Sequence, residues 1–85
     1  SSIANIASAL MSGQHVLAAV GASQFTNYPY THEIVLHGYD NGKTYVRDPF
    51  NANNNGWYSL DYIHGVQSRD AMDTKLGAPF FSIFA

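Results

Sequence analysis

The chain has 85 residues, a formal net charge of −2 and no cysteine, which allows one domain or part of one and excludes disulfides and cysteine-bearing zinc sites. With 46% hydrophobic and 14% aromatic residues it is too apolar to be a disordered segment, and four basic side chains make no stripe for nucleic acid or an anionic membrane. No apolar run is long enough to span a bilayer, and residues 1–20 lack the basic start of a signal peptide.

Residues 2–12 read as a helix, because Ile3, Ile6, Ala7 and Leu10 recur at three- and four-residue spacings. Ser1 or Ser2 is placed to cap its start and Gly13 to end it. The apolar run His15 to Val20 lies between Gly13 and Gly21 and reads as a buried strand. Residues 21–30 form a polar and aromatic loop containing Pro29.

His32 to Tyr39 is β-branched and aromatic enough for a strand. Asp40-Asn41-Gly42 is a hairpin signal, and Lys43 to Asp48 is the return strand, stopped by Pro49. Asn51 to Gly56 reads as a solvated loop, with no carboxylate spacing for calcium. Trp57 and Tyr58 suggest a brief strand, and Ser59 caps a short helix carrying Leu60, Ile63 and His64. Residues 67–78 are mostly polar, with Gly77 and Pro79 near their end, and Phe80 to Phe84 closes the chain as an apolar strand. The order predicts an α+β fold with a largely antiparallel sheet and short flanking helices, in one domain over residues 1–85.

Two residues on the arms of the hairpin carry the candidate chemistry. If the loop has three residues, Tyr39 faces Lys43, and Asp48 falls opposite Ile34 on the same face as His32. Diagonal neighbours in such a pair lie roughly 7–8 Å apart between backbones, within reach of an imidazole and a carboxylate. With a two-residue Asn41-Gly42 turn, Asp48 faces Val35 and points away from His32. Pairing the two side chains therefore requires the longer loop or a bulge.

A histidine titrating near neutrality takes a proton from a nucleophile and returns it to a leaving group. A neighbouring carboxylate fixes its tautomer and stabilises the imidazolium. The nucleophile is missing, since there is no Cys and no Ser stands in a strand–turn–helix elbow.

The stretch from Thr31 to Tyr58 resembles the second half of papain-like cysteine peptidases of the double-glycine, bacteriocin-processing type. There a strand opens with the catalytic His and runs into Gly-Tyr-Asp, and a hairpin leads to a strand ending in Asp-Pro. His32 to Asp40 is similar to the first part and Val46 to Phe50 to the second. The likeness extends to Ile6–Val20, as a helix, small turn and strand, and to Gly56–Leu60, as a Gly-x-Tyr-Ser step into a helix.

The resemblance implies the sheet-rich half of a papain-like peptidase, with His32 as general base and acid, Asp48 as its orienting partner, and no cofactor. It implies a secreted bacterial enzyme cleaving proteins or wall peptides. The family's Gln and catalytic Cys precede the region matched, so the implied partner is a separate N-terminal Cys-bearing chain. The start at Ser1 suggests proteolytic processing and a heterodimer. A catalytically inactive papain-like domain that binds peptide or cell-wall material is the alternative.

Other polar and aromatic residues have plainer expectations. His37 is expected to be a satisfied structural residue on the opposite face of its strand from His32. His15, His32, His37 and His64 have no metal-ligand spacing. Tyr28, Tyr30, Trp57 and Tyr58 are expected as packing and loop anchors rather than as walls of a groove.

Overall fold

The computed structural model describes residues 2–70 and 79–83. Helix α1 spans Ile3–Met11, and is followed by β1 (His15–Val20), β2 (His32–Asp40) and β3 (Lys43–Arg47). One turn of 3-10 helix at Ala52–Asn54 leads to β4 (Gly56–Ser59), α2 (Leu60–Gly65) and β5 (Phe80–Ile83). The strands form one antiparallel sheet in the order β4-β3-β2-β1-β5. The architecture is a small α+β fold, a five-stranded antiparallel sheet with two short helices.

Local chemistry sets the helix limits. The Ser2 hydroxyl accepts the Asn5 N–H at 3.1 Å, satisfying one free donor of the first turn. At the other end Gly13 adopts φ +89°, its N–H donates to the Leu10 carbonyl, and the Gln14 N–H reaches back to Ala9. This paired closure satisfies carbonyls that the helix leaves open, and it needs a residue tolerant of left-handed backbone. Ile6, Ala7 and Leu10 are the buried stripe of α1.

The core lies on one face of the sheet. Val16, Ala18 and Val20 of β1 face it beside their register partners Leu36, Ile34 and His32 of β2. Ile6 and Leu10 of α1, Leu60 and Ile63 of α2, Val46, Phe25 and Phe80 complete the cluster. A fully buried aliphatic side chain of this kind contributes about 1.5–3 kcal/mol, so this face holds most of the hydrophobic stabilisation. His15, Leu17, Val35, His37, Tyr45, Arg47, Trp57 and Phe81 alternate onto the far face.

The hairpin settles the register by a route that combines both turn options. Asn41 (φ +50°) and Gly42 (φ +83°) form a two-residue turn, with Asp40 opposite Lys43. The pairing then shifts by one residue between His37 and Asp40, so that Gly38 and Tyr39 together face Thr44. Gly38 takes φ +72°, and the buried Thr44 hydroxyl donates to its carbonyl at 2.9 Å. Beyond this bulge His37 faces Tyr45, Leu36 faces Val46 and Val35 faces Arg47. The extra residue turns every later side chain of β3 to the other face.

Several sequence expectations differ in detail. The return strand ends at Arg47 rather than Asp48, and the Asn-rich loop contains the 3-10 turn. Gln67 makes an isolated bridge to Val20. Ser1, Gly77 and Phe84 lie outside the described residues, as do the other positions of 71–78.

Candidate active site

His32 opens β2 and Asp48 follows the last residue of β3, both on the core face of the sheet. Continued past Arg47, the bulge-corrected register sets Asp48 across from Ile34 and one diagonal step from His32. The two side chains meet, with His32 Nε2 2.7 Å from Asp48 Oδ1. The carboxylate side chain is 1% exposed and the imidazole 14%, so the pair is sunk at the sheet end while one side of the ring stays open.

Asp48 is held by a cage of donors. Its Oδ1 accepts the backbone N–H groups of Phe50 at 2.9 Å and Asn51 at 3.2 Å, the pattern by which an aspartate before proline starts a turn. Its Oδ2 accepts the Asn54 side-chain amide at 2.9 Å. Its own N–H donates to Asn55 Oδ1 at 2.7 Å, fixing the backbone that carries the carboxylate. The Tyr58 hydroxyl donates to the Asn54 carbonyl at 2.7 Å and accepts from the Gln24 amide at 2.9 Å.

The electrostatics follow from that cage. Burial by itself pushes the Asp48 carboxyl upward, but the bonds from Asn54, His32 and Phe50 outweigh it. The group stands below the ordinary 3.8 and is ionised at neutral pH. An ionised Asp48 oriented on Nε2 selects the tautomer with its proton there, leaving Nδ1 as the nitrogen that exchanges a proton. The ring of Phe50 lies 5.4 Å from that of His32, centroid to centroid, and Phe50 is exposed.

No family model, curated protein or solved structure matches this chain.

The Asn cluster is expected to be a plain solvated loop, yet Asn54 donates to the Asp48 carboxylate and Asn55 accepts the Asp48 backbone N–H. Only the Asp-Pro turn gave a signal for this in the sequence. Tyr58 is an anchor as expected, whereas Tyr28 and Tyr30 are exposed. They line a cavity of about 350 Å³ with Thr31, the residue preceding His32. Ser59 ends β4 and directly precedes α2, with no intervening turn and with ordinary backbone angles of φ −58° and ψ 130°. Its hydroxyl caps α2 by accepting the Tyr62 N–H, and it faces Lys43 at the hairpin end of the sheet, away from His32. His37 lies on the far face, but it is not satisfied, since its buried Nε2 has no hydrogen-bond partner. Among the described residues no group of three or more side chains could hold a metal ion, and no helix is long and apolar enough to cross a membrane.

Proposed function

We propose that this chain is the His/Asp-bearing part of a papain-like cysteine peptidase, and that the nucleophilic thiol comes from a segment outside this sequence. The observation that carries the reading is the 2.7 Å contact between a partly open imidazole and a buried, ionised carboxylate held by further donors. A general base needs that rigidity, because its proton-exchanging nitrogen must stay aimed at the reacting group.

On this reading His32 Nδ1 takes the proton of the cysteine thiol, and the thiolate attacks a peptide carbonyl. The imidazolium, stabilised by Asp48, gives that proton to the departing amine as the C–N bond breaks, leaving a thioester. Water then attacks the thioester as His32 accepts its proton, and the acid and thiol are released. The oxyanion donors belong to the Cys-bearing segment, as the resemblance implies. The exposed Tyr28 and Tyr30, which line a cavity with Thr31, offer apolar surface to a peptide or protein substrate. A secreted bacterial setting is part of the same reading and rests on the resemblance.

The test is intact-mass analysis of the protein purified from its natural source, followed by peptide hydrolysis assays. A Cys-containing segment, in the same polypeptide or co-purifying, should be present, and iodoacetamide should abolish hydrolysis. His32→Ala should remove activity while leaving the far-UV spectrum unchanged. Hydrolysis that survives His32→Ala, or a native protein without that cysteine, defeats the proposal in favour of a binding domain.

A further inference from the structure

A second cluster of polar groups lies on the far face of the sheet, and the chemistry above uses none of their side chains. The register places His15 of β1, His37 of β2, Tyr45 of β3 and Trp57 of β4 in one row. Their rings touch in sequence, with centroids 5.3, 5.1 and 5.7 Å apart. The neighbouring row runs through Leu17 and Val35 to Arg47. A cavity of about 450 Å³ opens here, lined by His15, His37 and Arg47, by apolar Val35, Pro49 and Ala52, and by Asn55. That volume is in the range of pockets that take small molecules.

Three features give this cavity a sign. Arg47 is exposed and forms no ion pair among the described residues. His37 Nε2 is buried without a partner, an arrangement that costs stability unless something else bonds to it. Burial, and then the fields of His15 and Arg47, hold His37 below its ordinary 6.5, so the ring adds no charge and Arg47 gives the cavity its sign. A metal cation is disfavoured by the adjacent guanidinium. Asp48 contributes to the lining, but its carboxylate is saturated on the core face by His32, Phe50, Asn51 and Asn54.

We propose that this cavity binds a small carboxylate with an apolar body, its oxygens taken by the exposed Arg47 and its body set against Val35, Pro49 and Ala52. Arg47 offers the paired donors that match a carboxylate, and His15 and Asn55 supply flanking donors. The site does not depend on the peptidase reading. It does share Asn55 with the loop that holds Asp48, so occupancy is expected to be felt at His32.

The experiment is a titration of the protein as purified from its natural source, with any Cys-bearing segment it carries, followed by two-dimensional NMR of its histidine rings and backbone. The probes are benzoate, benzyl alcohol, and a short acetylated peptide ending in phenylalanine as the free acid or the amide. Benzoate or the peptide acid should give saturable shifts at His15, His37 and Arg47. The stronger of the two tells whether the natural ligand is a free acid or a peptide C-terminus. Benzyl alcohol and the amide should bind at least tenfold more weakly. Arg47→Gln should weaken benzoate about tenfold, the loss of roughly one charge-assisted hydrogen bond, with Arg47→Lys between it and the native chain. The proposal is overturned if neither acid gives saturable shifts at these residues, or if acid and neutral probes bind alike. Arg47→Gln binding benzoate as the native chain does overturns it equally.

Discussion

Replacing Asp48 by Asn isolates the charge of the buried carboxylate from its shape. A carbonyl oxygen at the Oδ1 position still accepts from His32, Phe50 and Asn51. The new amide at the Oδ2 position meets the Asn54 amide, which must rotate to offer its own oxygen. Hydrogen bonds to a charged group are worth about 1.5–3 kcal/mol, against about 1 for neutral ones, so three bonds lose roughly 2 kcal/mol between them. Relief of the carboxylate's desolvation returns part of that, leaving a net cost of about 1–2 kcal/mol at pH 7. A chain of 85 residues has a total stability of roughly 4–13 kcal/mol, so the change is measurable. Urea unfolding should show a midpoint lowered by about 1 M at unchanged slope. The pH dependence carries the sharper test. The folded Asp48 lies below its ordinary 3.8, so its contribution is complete above that value and fades as pH falls through the folded value. The gap between native and Asp48→Asn chains should therefore be constant from pH 7 to about pH 5 and close on further acidification. Equal stabilities at pH 7, or a gap that persists in strong acid, would refute the view that the cage is built for an anion.

Three further changes probe neighbouring parts of the structure. Asn54→Ala removes one donor to the carboxylate and should cost about 1–2 kcal/mol; it should also raise the Asp48 titration toward its ordinary value, measured by carboxyl-carbon NMR. Gly38→Ala tests the bulge: an added Cβ meets only Trp57 at 3.7 Å, so space is available and the positive φ is what resists it. The expected cost is about 1–2 kcal/mol in urea unfolding, and a neutral result would show the bulge backbone to be unstrained. His37→Phe keeps the ring row and removes the orphaned Nε2, so it should raise stability by about 1 kcal/mol in urea unfolding.

The elements themselves were legible because their signals are local. The stripe of Ile6, Ala7 and Leu10, the Ser2 cap and Gly13 define α1 within a residue at each end. Asn41-Gly42 marks its own turn, since both positions need positive φ. Strand order was not legible. The pairing of β1 with β5 joins His15 to Ile83 across most of the chain, and no short-range pattern encodes it. The bulge is an intermediate case. Sequence reasoning could state that a plain two-residue turn separates His32 from Asp48, and that a three-residue loop or a bulge reunites them. The place of the slip, at Gly38 and Tyr39, is shown only by the coordinates.

The candidate site divides along the same line. His32 and Asp48 stand out by residue type and by hairpin spacing, whereas the residues that make Asp48 a fixed anion do not. Asn54 and Asn55 read as solvent-loving loop residues, and composition alone gives no reason to turn their amides inward. A buried carboxylate does. Once the bulge rotates Asp48 into the core face, every lone pair it carries must find a donor, and the following loop is the nearest source. The Asn-rich loop is thus a consequence of the register, which in turn hangs on one glycine six residues beyond His32. The same rotation sends Arg47 to the opposite face, beside the unsatisfied His37. One inserted residue in β2 therefore fixes both the enclosed anion on one side of the sheet and the cationic cavity on the other.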